Sequence, residues 1–274
     1  MDLHDPAVVE REYNNRAAVP DYPKYFDRWE KDSEYARRTL EARVDLAYGP
    51  DPRHRIDYFP SKGSRGLLVF IHGGYWRALD KKLFSWIAPP FVAAGVGVAN
   101  VNYRLCPQVR IGDIVEDVIA AMNWLFGEGI ARQNVVVAGH SAGGHLVAAL
   151  FATDRLHFDT AKIAGGVPIS GVFDLEPLPL YSANEDLRLD GPEARRLSVH
   201  RLRPTITAPL VVAAGGAETR EFQRQSTMFA EAWSPQVREL LLLPGYNHFS
   251  ILDALVERGQ PLHAATLALF EGKA

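Results

Sequence analysis

Residues 134–152 read NVVVAGHSAGGHLVAALFA. The opening run, Asn134 to Ala138, is short and apolar, as in a strand buried on both faces. The closing run, Gly144 to Ala152, suits a helix. Between them stands Gly139-His140-Ser141-Ala142-Gly143, spaced Gly-x-Ser-x-Gly. A strand that feeds a helix through so sharp a turn lifts its serine to the tip of a sheet, and the flanking glycines relieve crowding there. The pentapeptide alone says little, because glycine and serine are common in turns. With a strand before it and a helix after it, Ser141 becomes the candidate nucleophile.

The same rhythm continues on both sides. Strand-like runs GLLVFIH (66–72), VGVANVNYR (96–104), KIAGGVPIS (162–170), APLVVAAGG (208–216) and VRELLLLPG (237–245) alternate with helix-like runs. Those helices are DKKLFSWIAPPFVAAG, read as ending at Pro89, then IGDIVEDVIAAMNWLFGEG (111–129), REFQRQSTMFAEAW (220–233) and PLHAATLALFEG (261–272). This alternation predicts an α/β fold: a mostly parallel central sheet with helices on both faces. Ahead of it, RVDLAYG and HRIDYFP predict two short strands. Residues 7–42 predict two aromatic-rich helices broken at Pro20 and Pro23, their rings packed on the domain or overhanging a site. The irregular stretch 172–207 falls between two strands and is read as a small cap over their carboxyl ends, where sites of open α/β sheets lie. One domain is expected to span residues 1–274.

The chain has 274 residues, 47% of them hydrophobic and 23% charged, with a formal net charge of −3. That is enough to bury a sizeable core, and the balance calls for neither nucleic acid nor an anionic membrane. No apolar run reaches the roughly 20 residues that span a bilayer, and the polar N-terminus lacks a signal core. With Cys106 the single cysteine, a cytoplasmic protein is expected. Cys106 itself reads as a buried small residue. A small-molecule substrate is expected and a homodimer is left open.

A serine hydroxyl needs a base, and the base an orienting acid. The chain order serine, acid, histidine places them downstream. His248, in PGYNHFS, follows the last strand and is the candidate base. His140 reads as part of the turn, and His145 points away along the next helix. Glu218, in GGAET after the preceding strand, is the candidate acid, with Glu221 the runner-up. The oxyanion of a tetrahedral intermediate needs preorganised N–H donors. Ala142 offers one, and HGGYW (72–76) supplies Gly73 and Gly74, with the Tyr75 amide a further option. His72 reads as a support for that loop. No clustered His, Asp or Cys has metal-ligand spacing, so neither metal nor cofactor is expected.

Together the segments HGGYW, NYRLCP, GHSAGGHL, SGVFDLEPL, GGAE and NHFSILD resemble, in order, the arylformamidase (kynurenine formamidase) branch of the α/β-hydrolases, which is related to hormone-sensitive-lipase-like esterases. The resemblance covers most of the chain. It implies an α/β-hydrolase fold, a Ser141–Glu218–His248 triad and hydrolysis of N-formylkynurenine to kynurenine and formate. Lipase-like relatives carry a third glycine where Tyr75 stands, and aspartate is frequent where this chain has Glu218. Tyr75 and Trp76 are the expected substrate-binding residues. Arg104, or the RLRP run at 201–204, is a candidate partner for the substrate's carboxylate, a surface ion pair being the commoner role. A carboxylesterase for small acyl or aryl esters is the alternative, and a catalytically dead binding protein the remote one. A proline-specific peptidase or a thioesterase finds no distinct support in the residues.

Overall fold

The computed structural model describes residues 1–63 and 65–272. Eight strands form one sheet in the order β1-β2-β4-β3-β5-β6-β7-β8. They are β1 (Arg43–Ala47), β2 (Arg55–Phe59), β3 (Gly66–Ile71), β4 (Val96–Val101), β5 (Val135–His140), β6 (Ile163–Ile169), β7 (Leu210–Gly215) and β8 (Val237–Leu243). β2 pairs antiparallel with both β1 and β4, and every pairing from β4 to β8 is parallel. The central strands are continuous apolar runs because both faces are covered: every residue of β4, β5 and β7 is buried.

The helices are α1 (Pro6–Tyr13), α2 (Asn15–Ala18), α3 (Pro23–Thr39), α4 (Ala88–Ala93), α5 (Ile111–Gly127), α6 (Ala142–Phe151), α7 (Asn184–Leu187), α8 (Gly191–Leu197), α9 (Arg220–Ala232), α10 (Ile251–Val256) and α11 (Pro261–Leu269). They divide the core into two layers. Residues of α1, α5, α6 and α9 pack on one face of the sheet, together with most of the 172–207 stretch. Residues of α3, α4, α10 and α11 pack on the other.

Three local readings change. The first N-terminal helix is broken at Asn14, whose side chain accepts the Ala17 amide at 3.0 Å and so starts α2 afresh. Pro89 begins a helix and does not end one. A 3-10 turn over Lys81–Ile87 runs straight into α4, where Pro89 sits in the first turn and its missing N–H costs nothing. The stretch at 172–207, read as a cap, also contributes to the core: Phe173, Leu175, Leu178 and Leu187 are fully buried in it.

Candidate active site

Every candidate catalytic side chain lies just past the carboxyl end of a strand. Ser141 follows β5 and is held at φ 57°, ψ −119°, outside the regions ordinary residues favour. Its amide donates to Ile169 O at 2.8 Å, and its carbonyl accepts from Gly144 and His145, which starts α6. Close packing demands the neighbouring glycines. A Cβ on Gly143 would lie 2.0 Å from the Ile71 carbonyl oxygen.

His248 follows β8 in a turn that Asn247 knots together, its Oδ1 accepting the amides of Phe249 and Ser250 at 2.9 Å each. The His248 ring meets Phe222 edge-on, 4.6 Å between centroids. Glu218 follows β7 and places Oε2 2.7 Å from His248 Nδ1. The other carboxylate oxygen, Oε1, accepts the Gly215 amide at 2.6 Å and the Ser170 hydroxyl at 2.5 Å. Both oxygens are thus occupied, so the carboxylate cannot turn away from the imidazole. A glutamate fits here because it folds back on the last residue of its own strand. The runner-up, Glu221, points elsewhere: it pairs with Arg224 at 2.7 Å and accepts the Tyr13 hydroxyl at 2.8 Å.

Ser170 is part of this array and was not singled out by the sequence. A serine after a strand is too common to stand out; its fully buried position, against an acid 48 residues away, is a tertiary fact. His140 does not act as a base. Its Nε2 donates to the His248 carbonyl at 2.7 Å, which fixes the turn carrying the candidate base. Burial, together with the neighbouring His248, holds the His140 pKa well below its ordinary value.

The loop HGGYW packs directly on the serine. A Cβ on Gly73 would sit 3.0 Å from Ser141 Cβ and 2.8 Å from the His140 carbonyl oxygen, so only glycine lets the backbone come this near. Gly74 adopts φ +108°. His72 anchors the loop from below. Its ring lies stacked between Tyr103, at 4.3 Å, and Phe84, at 5.8 Å, with Nδ1 2.7 Å from Gly73 O and Nε2 3.0 Å from Asn102 Oδ1. Burial lowers its pKa to about 4. Gly73 thus packs on Ser141, Ala142 follows it at the start of α6, and Gly74 lines the same cavity.

Ser141, His140 and His248 open into a cavity of about 600 Å³, to which Gly74 and Tyr75 also contribute. Phe26, Trp29 and Phe249 form an aromatic wall, and Asn15, Arg16 and Tyr181 stand around it. Trp76, expected to bind substrate, does not reach this space. Tyr75 and Trp76 both take left-handed backbone conformations, φ 50° and 53°, and the turn drives the indole into the core. There Trp76 is fully buried, its ring edge-on to His145 at 5.1 Å. Tyr75 does line the cavity, and its hydroxyl donates to the Tyr13 carbonyl at 2.6 Å.

Of the arginines singled out earlier, Arg104 and Arg201 are spoken for. Arg104 grips Asp117 with Nε and Nη2 at 2.6–3.1 Å, and Arg201 pairs with Glu176. No residue of 201–204 lines the cavity. Cys106 is buried, and burial pushes its thiol up to about 11, which makes it a packing residue. Among the described residues, no group of three or more His, Cys, Asp or Glu is placed to hold a metal ion. None of the described helices is long and apolar enough to cross a membrane.

A nucleophile elbow after the fifth strand, an acid after the seventh and a histidine after the eighth, on this strand order, define a known architecture. The chain belongs to the alpha/beta hydrolase fold family, whose sequence profile matches residues 68–222, in the branch that holds the kynurenine formamidases. It is 30% identical to a kynurenine formamidase of Salmo salar over 237 residues, 82% of this chain and 81% of that one. Against a kynurenine formamidase of Danio rerio the identity is 29% over 236 residues, covering 82% and 80%. The crystal structure of a candidate thioesterase from Silicibacter sp. tm1040 superposes with a TM-score of 0.88 at 34% identity, over 96% of this chain and 98% of that one.

Proposed function

We propose that the protein is a serine hydrolase of aryl formamides, cleaving N-formylkynurenine to kynurenine and formate. The observation that carries this is that Ser141 and the Glu218-paired His248 open together into an aromatic-walled cavity with room for a single-ring substrate. In this reading, Ser141 Oγ attacks the formyl carbon as His248 Nε2 takes its proton. Glu218, locked by Gly215 and Ser170, stabilises the imidazolium at Nδ1. The amides of Gly73, Gly74 and Ala142 receive the oxyanion. His248 then gives its proton to the departing aryl amine, and a water, deprotonated by the same imidazole, releases formate from the formyl-serine. The aryl ring lies against Phe26, Trp29 and Phe249.

A second reading keeps this machinery and changes the acyl group: hydrolysis of small esters or thioesters. The extent of the likeness to the candidate thioesterase favours it. Steady-state kinetics on N-formyl-L-kynurenine and on p-nitrophenyl acetate separates the two. The formamidase reading expects kcat/KM for the formamide to exceed that for the intrinsically more reactive ester. Turnover of the ester alone would move the assignment to the second reading. The single buried cysteine supports a cytoplasmic site of action.

A further inference from the structure

The end of the cavity formed by the N-terminal helices holds polar groups that the proposed chemistry does not use. Asn15 and Arg16 both line it. Asn15 is only 5% exposed, yet among the described residues neither its Nδ2 nor its Oδ1 has a hydrogen-bond partner. Leaving a buried amide unpaired is costly, so such a group on a cavity wall points to a ligand that supplies the missing partners. Arg16 is held beside it by rings, its guanidinium carbon 5.2 Å from the Tyr22 centroid and 5.8 Å from that of Phe26. It has no carboxylate partner among the described residues. The other arginine on the cavity wall, Arg77, is already paired with Asp186. Among the described residues no aspartate or glutamate lines the cavity, so the charge they offer a ligand is positive.

We propose that Asn15 and Arg16 form a carboxylate subsite that selects substrates carrying an anionic group at the end remote from the scissile bond. The inference rests on the formamidase reading for its natural substrate: the carboxylate of an amino-acid side arm would lie on Arg16 and the Asn15 N–H, and its ammonium on Asn15 Oδ1. Planar guanidinium and carboxylate suit each other in charge and shape. This assigns the selecting role to α2, a helix far ahead of the triad in the sequence.

The test compares N-formyl-L-kynurenine with 2-formamidoacetophenone, which keeps the aryl formamide and lacks the amino-acid end, in the wild type, Arg16→Ala, Arg16→Lys and Asn15→Ala. The quantity read is the ratio of the two kcat/KM values, which does not depend on the fraction of enzyme folded. Arg16→Ala should lower the ratio about ten-fold or more, chiefly through KM for the amino-acid substrate, as loss of a charge-assisted hydrogen bond implies. Arg16→Lys should retain part of the preference, and Asn15→Ala should lose part of it. A ratio left within about two-fold of wild type in Arg16→Ala would overturn the subsite. If the wild type cleaves neither formamide, the formamidase reading fails and the subsite is judged separately, on mono-p-nitrophenyl succinate against p-nitrophenyl butyrate. A wild-type preference for the anionic ester that Arg16→Ala abolishes supports it, and equal ratios in the two proteins refute it.

Discussion

Ser141, Glu218 and His248 stand on turns at the ends of β5, β7 and β8, whereas Asn15, Arg16, Phe26 and Trp29 reach the same cavity from helices that precede the sheet. The floor is rigid by construction. Its backbone is continuous with buried strands, and its polar atoms are tied pairwise by bonds such as Glu218 to Gly215, Ser170 and His248. The roof is held by rings: Tyr22, Tyr25, Phe26 and Trp29 gather around Phe249, with centroids 5.7–6.3 Å away. Of the hydrogen bonds that fasten roof to floor, three land beside a candidate catalytic group. Thr219 Oγ1 donates to Glu12 O at 2.7 Å, Asn247 Nδ2 donates to Tyr25 Oη at 3.0 Å, and Tyr75 Oη donates to Tyr13 O at 2.6 Å. A floor of this kind sets which bond breaks, and a roof of this kind sets which molecule is admitted.

The sharpest way to break that division is at its centre. Ser141→Ala should lower kcat by about 10⁵–10⁶-fold, as nucleophile removal does in serine hydrolases. The loss should be the same factor on formamide and ester. Single-turnover rates on both substrates check it, and a loss confined to one would mean that the floor also selects. Glu218→Gln comes next. The amide cannot hold the imidazolium, and kcat should drop about 10³–10⁴-fold with KM little changed. Activity close to wild type would remove Glu218 from the machinery and leave its bond to His248 as packing alone.

Much of the floor was legible in the sequence for a physical reason. Strands buried on both faces must be apolar throughout, so their ends can be located, and Ser141, Glu218 and His248 were picked out by following strand ends in order. Ser170 sits at such an end too, but nothing in Ile-Ser-Gly announces a partner on the next strand. Trp76 was misplaced because adjacency to Tyr75 says nothing of two successive left-handed residues. The roof was hardly legible. The aromatic content of residues 7–42 raised two options, and both occur: Phe26 and Trp29 line the cavity, while Tyr13 is buried in the core. Whether an arginine is paired is likewise settled by tertiary contacts, so the sequence pointed to Arg104 and 201–204 while Arg16 went unremarked.

Acid should distinguish floor from roof. His72, His140 and His145 are buried in the floor, and burial lowers the pKa of each from 6.5, to about 4 for His72 and His145. The folded state then binds fewer protons than the unfolded chain once the pH falls below about 6.5. Stability from these groups is present in full above that pH and is lost as the pH falls toward 4. Each contributes a slope of up to about 1.4 kcal/mol per pH unit. Urea midpoints at pH 7 and pH 5 measure it, the lower pH giving the lower midpoint. Equal midpoints would mean that the imidazoles are solvated or paired when charged.

The smallest expected effect is the most informative about how the two regions communicate. Tyr75 belongs to both: its backbone is part of the loop against Ser141, and its hydroxyl reaches back to Tyr13 on α1. Tyr75→Phe keeps the ring on the cavity wall and removes only that bond, so stability should fall by about 1 kcal/mol. If the roof merely rests on the floor, KM should rise a few-fold with kcat nearly constant, because substrate is admitted less well but attacked as before. If kcat falls by a larger factor than KM rises, the bond also sets the position of the Gly73–Gly74 amides. The roof would then act on the chemistry itself, and the separation of the two regions would hold for Glu218 and His248 but not for the oxyanion loop.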